Sequence, residues 1–145
     1  MNKKRNILAW IMLIMWMILI FYMSHQNGEV SSSQSNLIIK VFQMLGIELN
    51  NYFGDLATLI VRKGAHLTEY LILFLLSYRV IIIYVDKKRA RIYALALVFL
   101  YACTDEIHQY FVPGRAMAIK DVMIDTCGGL IGLVITVIYG KMKGK

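Results

Sequence analysis

Four stretches of this chain are built almost entirely from apolar side chains, and the polar residues that separate or interrupt them recur at helical intervals. Residues 7–23 and 92–103 contain no charged residue, residues 67–85 are broken by Glu69 and Arg79, and residues 122–139 by Asp125. At a rise of about 1.5 Å per residue, roughly 20 residues of helix cross the roughly 30 Å hydrocarbon core of a bilayer. The pattern predicts four transmembrane helices, at about residues 7–23, 64–85, 92–111 and 121–139. Between the first two lies a polar, serine-rich stretch, residues 26–36, with helix-capping character at Ser35 and Asn36. In residues 37–53, Leu37, Val41, Met44 and Leu45 alternate with Lys40, Gln43 and Glu48, which predicts an amphipathic helix over about 36–53 lying on the outer surface. Gly54-Asp55 restarts a helix, with Asp55 as its N-cap, and the pattern runs on to about Tyr84, so the second transmembrane helix is expected to protrude. Pro113-Gly114 turns the chain between the third and fourth helices.

Composition agrees with this pattern. With 59% apolar residues and a single proline among 145 residues, and a mean hydropathy of +0.59, the chain is too apolar for a soluble domain of its size. The expected class is all-α, an integral membrane four-helix bundle forming one domain over residues 1–145, with no internal repeat. The first apolar run starts on Lys3, Lys4 and Arg5. At 17 residues it is long for a signal peptide, and Ser24-His25-Gln26 is no small-residue cleavage site, so an anchored helix is expected.

Charge fixes an orientation. Lys3, Lys4 and Arg5, the basic stretch from Lys87 to Arg91, and Lys141, Lys143 and Lys145 fall on one side of a four-helix hairpin arrangement, with Arg79 near it. By the positive-inside rule both termini are cytoplasmic, in a multi-pass protein of the plasma membrane. The net charge of +7 is then an orientation signal and an attraction to anionic inner-leaflet lipid, and nucleic acid is not an expected partner. Tyr84, Tyr93 and Tyr139 at the inner ends, and Tyr52, Phe53, Tyr110 and Phe111 near the outer ends, fit two interfacial belts. Cys103 and Cys127 sit inside apolar runs without CxxC spacing and are expected as small core residues.

Against this background residues 102–125 stand out, because they gather Asp105, Glu106, His108, Gln109, Arg115, Asp121 and Asp125. Ionisable groups at membrane depth are costly and mark functional sites. Counting up from the cytoplasmic ends at about 1.5 Å per residue, Glu69 and His66 lie about 22 and 27 Å up the second helix, Asp105 and His108 about 20 and 24 Å up the third, and Asp125 and Asp121 about 21 and 27 Å up the fourth. Three helices thus place their ionisable groups in one layer of the outer leaflet. At 100° per residue, Arg62, Lys63, His66, Glu69 and Tyr70 share one arc, Tyr101, Asp105, His108 and Gln109 another, with Glu106 at its edge. Asp121, Asp125, Gly128, Gly132 and Thr136 form a single stripe, in which the Gly128/Gly132 pair allows close helix packing and points both aspartates inward.

The cluster admits three roles. Arg62, Lys63 and Arg115 can neutralise Glu69, Asp105, Asp121 and Asp125 in a structural ion-pair network. Alternatively, the same cations, with Gln109, Tyr70 and Asp125, bind a lipid-linked phosphate or pyrophosphate. In that case Glu69, His66 or His108 moves protons, and Asp105, Glu106 and Asp121 complete a catalytic set. The third is a metal site: His66/Glu69 and Asp105/His108 recur at i, i+3, and Asp121 and Asp125 could complete the shell. That spacing is permissive, lacks HExxH or a cysteine pair, and assigns no ligand set or cofactor. No nucleophile stands out.

The ordered pieces Lys63-Gly64-Ala65-His66-Leu67-Thr68-Glu69-Tyr70, Thr104-Asp105-Glu106-Ile107-His108-Gln109, Phe111-Val112-Pro113-Gly114-Arg115, and Asp121 followed by Gly128-Gly129, together with Ser24-His25-Gln26, Ser32 and Ser35, give the chain its resemblance to the VanZ-like family of bacterial membrane proteins. The family is named for an accessory protein of teicoplanin resistance. The resemblance implies a polytopic envelope protein whose partners are a membrane lipid, a lipid-linked cell-wall precursor or a lipoglycopeptide antibiotic. It supplies no established reaction. The family often has asparagine where this chain has Asp125, and serine near Ala118, so the resemblance makes Asp121 the firmer site residue.

Overall fold

The computed structural model describes residues 3–54 and 56–144, and in chain order these form α1 (Lys3–Ser24), α2 (Gly28–Met44), α3 (Leu49–Phe53), α4 (Leu56–Ile81), α5 (Lys87–Gln109) and α6 (Ile119–Met142). No strand occurs among the described residues, so the class is all-α. Asp55 and Lys145 lie outside the described residues.

Short polar side chains set two of the helix starts. Asp86 accepts from the backbone N–H groups of Lys88 and Arg89 at 3.0 and 3.1 Å, so α5 begins inside the basic stretch that the hydrophobic pattern left as a turn. The N–H of Arg89 first, and that of Lys88 in addition, hold the Asp86 carboxyl below the usual aspartate range. Asn27 caps α2 through Val30 N–H at 2.9 Å, and the helix starts at Gly28, well before the expected residue 36. The serine-rich stretch is helical because its hydroxyls are absorbed: Ser32 and Ser35 donate to the carbonyls of Gly28 and Ser31. Ser31, Ser35 and Ile39, one turn apart, are the buried stripe of α2, which packs on α4, whereas Leu37, Val41, Met44 and Leu45 are exposed.

Of the four long helices, α4, α5 and α6 pack on one another and α1 packs on α4 and α5, and side-chain pairs give their directions. Tyr101 donates to the Met17 carbonyl at 2.6 Å and Ser24 to Asp105 at 2.8 Å, so α1 and α5 ascend together. Trp10 donates to the Tyr84 hydroxyl and Trp16 to the Glu69 carbonyl, so α1 and α4 run oppositely. Arg91 donates to the hydroxyl and carbonyl oxygens of Thr136, which pins the start of α5 to the last turns of α6. Ala9, Leu13, Ile20, Tyr70, Leu73, Phe74, Ala94, Val98 and Ala102 form the shared core.

By length and composition α1 and α6 can each cross a membrane, and among the described residues they alone do so on that measure; in α4 the apolar stretch is interrupted by His66, Glu69 and Arg79, and α5 starts on Lys87, Lys88, Arg89 and Arg91 and carries Asp105 and Glu106 near its end. The outward face of α1 is Ile7, Ile11, Met15, Ile18 and Phe21, all exposed, a surface that fits lipid better than water. Both cysteines are free, and Cys127 is exposed on α6 instead of sitting in the core.

The closest backbone approach is between α4 and α6. A Cβ on Gly128 would stand 2.3 Å from the Leu67 carbonyl oxygen and 3.0 Å from the Leu71 nitrogen, and one on Gly132 would meet the Phe74 ring at 2.7 Å. Gly128→Ala is expected to force these helices apart and lower the melting temperature in detergent, at a cost of about 1–3 kcal/mol for such overpacking. Gly64→Ala, where an added Cβ meets nothing within 4 Å, should melt at or above the wild-type temperature. Equal melting of the two variants would contradict the contact.

Candidate functional site

The register of α4 on α6 stacks polar pairs above the glycine contact. Lys63 pairs with Asp121 across the two helices, and one turn further in the His66 Nδ1 stands 3.5 Å from Asp125 Oδ1. Asp125 is fully buried and neither of its oxygens has a hydrogen bond, nor does His66 Nδ1.

From α5, Asp105 enters the same layer. Its Oδ2 accepts from Ser24 Oγ at 2.8 Å and from Gln109 Nε2 at 2.9 Å, which ties α5 to the last residue of α1. His66, Asp105 and Asp125 each bring one ligand-type atom within 4.8 Å of the others. Tyr70, also fully buried, has no hydrogen-bond partner for its hydroxyl.

Arg115 locks the turn between α5 and α6. Its Nε donates to the Gln26 carbonyl at 3.1 Å, Nη2 to the Met23 carbonyl and Nη1 to Gln109 Oε1, each at 3.3 Å, so it holds the orphan carbonyls at the end of α1. The turn itself uses Pro113 and Gly114 (φ +74°), and an added Cβ on Gly28 would lie 2.4 Å from the Gly114 carbonyl oxygen, so α2 starts flush against it. Burial first, then the like charge of Arg62, holds the Arg115 guanidinium below its usual pKa, although an arginine remains charged at neutral pH.

A cavity of about 250 Å³ opens where α1, α2 and α4 meet this turn, lined by Arg62, His66, Glu69 and Arg115 together with Ser24 and Gln34. Neither Arg62 nor Arg115 forms a salt bridge with a carboxylate among the described residues, and the Glu69 carboxylate has none either. The ion-pair network envisaged for all three cations and four carboxylates is therefore reduced to Lys63–Asp121 and, when the imidazole is charged, His66–Asp125.

The remaining residues singled out in the sequence are placed as follows. Glu106 is fully buried instead of lying at the edge of its face; its Oε2 accepts from Ala118 N–H at 2.8 Å and ties α5 to the start of α6, while Oε1 has no partner. His108 turns away from the cluster onto α1, its ring tilted against Phe21 (centroids 4.5 Å apart) and stacked on His25, whose Nδ1 faces its Nε2 at 3.2 Å. Gln109 lies with Asp105. Ser24, Gln34, Ser31 and Ser35 escaped the hydrophobic pattern. For Ser24 the signal was available: it extends the buried stripe Ala9, Leu13 and Ile20 by one turn. The serines and glutamine of α2 were hidden by starting that helix too late.

An all-helical chain with two helices apolar enough to cross a membrane, and with acidic and basic groups buried where its helices converge, fits a membrane protein with a polar centre. The VanZ/LLP1 family model matches residues 9–140, and the chain belongs to that family. No curated protein and no solved structure matches the chain.

Arg115→Lys tests this clamp. A lysine offers one compact ammonium where the guanidinium reaches three acceptors at once, so at least two of these bonds are lost. The variant is expected to melt lower by about 1–3 kcal/mol, at roughly 1 kcal/mol per bond, and to be cut faster by protease between α1 and α2. A lower melting temperature without faster cleavage there would place the loss elsewhere.

Proposed function

We propose that this VanZ-family protein is a multi-pass protein of the bacterial plasma membrane whose polar site takes the phosphate or pyrophosphate head group of a lipid-linked molecule from the outer leaflet. In this reading α1, α4, α5 and α6 cross the bilayer as a four-helix bundle with both termini cytoplasmic, and α2 and α3 lie at the outer interface. The alternating directions of the four helices support it, as does the gathering of Lys87, Lys88, Arg89, Arg91, Lys141 and Lys143 at one end. A role in resistance to teicoplanin-type lipoglycopeptides follows from the family's name-giving member, with a cell-wall lipid precursor or the drug's acylated portion as the molecule met at the site.

The observation that carries the reading is the pair Arg62 and Arg115, two guanidinium groups on one cavity wall with no carboxylate partner. Two like charges kept together in a half-buried place repel each other, and an anion between them relieves that repulsion. Arg62 has all five N–H donors uncommitted to any described hydrogen bond, and Arg115 keeps two of its five. Forked donors of this kind match phosphate oxygens. On the same wall His66 and Glu69 stand within electrostatic reach of each other, so the site also holds groups able to exchange a proton with a bound phosphate.

Native mass spectrometry of the detergent-extracted protein should show a co-purifying phosphate-bearing lipid. Arg62→Gln should retain it roughly 10- to 100-fold more weakly, the loss expected for one charge-assisted hydrogen-bonding partner. Retention of bulk lipid alone, or equal retention by Arg62→Gln, would sink the reading. The orientation is tested separately with C-terminal fusions, where a fluorescent protein should light up and alkaline phosphatase should stay inactive; the reverse pattern would invert the protein.

A further inference from the structure

We infer that His66, Asp105 and Asp125 form a site for one divalent transition-metal ion of the Zn²⁺ or Mn²⁺ type, at the inner end of the cavity. This donor set differs from the His66/Glu69 and Asp105/His108 pairs that the i, i+3 spacing suggested: Glu69 points to the cavity and His108 to α1, while Asp125 takes their place.

Three observations converge. First, the separation of His66 Nδ1 from Asp125 Oδ1 is 3.5 Å with no hydrogen bond between them. That is close to the edge, about 3.4 Å, of a tetrahedron whose metal–ligand bonds are about 2.1 Å long. The widest spread, 4.8 Å, exceeds that edge by about 1.4 Å, so binding draws the side chains together by rotation about their χ angles.

Second, Asp125 is fully buried with both oxygens unpartnered, and the partners of Asp105 both fall on Oδ2, which leaves Oδ1 available. Ser24 and Gln109 then act as outer partners that aim the ligating carboxylate, the arrangement metal ligands commonly have. A buried ionised carboxylate without hydrogen bonds is among the costliest groups a protein can hold, and a bound cation is one of the few things that offsets it.

Third, three buried acids gather where a cation would offset their charge. Asp105, Asp125 and Glu106 are buried, with Asp105 and Asp125 both within electrostatic reach of Glu106. Lys63 is paired with Asp121, and Arg115, though within electrostatic reach of Asp105 and Glu106, spends its hydrogen bonds on carbonyl and amide oxygens, so among the described residues His66 is the base that stands at ion-pair distance from Asp125. One imidazole nitrogen with carboxylate oxygens selects borderline ions such as Zn²⁺ or Mn²⁺ over Ca²⁺ or Mg²⁺, which favour all-oxygen sets. Three protein ligands leave at least one position open in a tetrahedral shell, and since His66 lines the cavity that position is reachable from it.

The site does not depend on the anion-binding reading, because metal uptake is measured with no lipid added and lipid retention with chelator-treated protein, so either can fail alone. Chelator-treated protein in mild detergent is loaded with Zn²⁺ or Mn²⁺ alone, passed through gel filtration and analysed for metal. About one equivalent per chain is expected in the wild type, with at least roughly a tenfold loss of affinity in Asp125→Asn and in His66→Gln, both checked for helical content by circular dichroism. Wild-type protein that retains no metal, or an Asp125→Asn protein that retains as much as the wild type, overturns the assignment. Co²⁺ substitution gives a second readout that needs no variant: intense visible ligand-field bands of four-coordinate cobalt are expected, and the weak spectrum of hydrated Co²⁺ would overturn it.

Discussion

Backbone contact between α4 and α6 at Gly128 governs where every charged group on these two helices can be. With no side chain on Gly128, the Leu67 carbonyl comes within 2.3 Å of where its Cβ would stand, and helices this close have one register. That register sets Lys63 against Asp121 and His66 against Asp125 on successive turns above the contact, and Phe74 against Gly132 below it. In lipid, where apolar side chains gain little by meeting each other, small residues that admit close backbone packing are a principal source of helix association. A larger residue at 128 would therefore act on the polar layer as well as on the packing, since both depend on the same distance.

Upon this pair the other helices add polar ties at one level. Asp105 receives Ser24 and Gln109, Glu106 receives the Ala118 N–H, and Arg115 gathers the free carbonyls at the end of α1. The cations accordingly fall into two groups. Lys63 is neutralised locally in a half-buried pair with Asp121, which fixes register at little net gain in stability. Arg62 and Arg115 face the cavity with no carboxylate partner, and this division separates the structural part of the charged cluster from the part available to a ligand.

Much of this layer was legible in the sequence because helical geometry is regular. Depth counting put Asp105 and Asp125 at one height with His66 about one turn above them, and face counting put Asp125 on the glycine stripe; in the structure the ligand-type atoms of the three lie within 4.8 Å of one another. Counting fails where side chains have a choice. His108 shares an arc with Asp105, yet an imidazole at the end of a helix can swing, and the Phe21 and His25 rings draw it to α1. Glu106 is about 100° from Asp105 on the helical wheel, but the first N–H groups of α6 need acceptors, and Ala118 finds one in its carboxylate. The onset of α2 was missed because serine and asparagine signal loops in isolation, whereas here Asn27 is a cap and Ser32 and Ser35 bond within the helix.

Asp125 shows how one residue changes the character of such a layer. An asparagine at this position would have the same shape, so packing alone does not call for an aspartate. The aspartate adds one negative charge at a fully buried position beside Asp105 and Glu106. With Lys63 held by Asp121 and the arginines held at the cavity wall, only the imidazole of His66 or an ion from outside can meet that charge. The extra acid therefore shifts the burden of the centre from hydrogen bonding to charge compensation, and it does so behind a cavity lined by Arg62, Arg115, His66 and Glu69. Cationic groups on the cavity with acids buried behind them suit a ligand that carries both charges, such as a phosphate with its counter-ion, better than one that carries either alone.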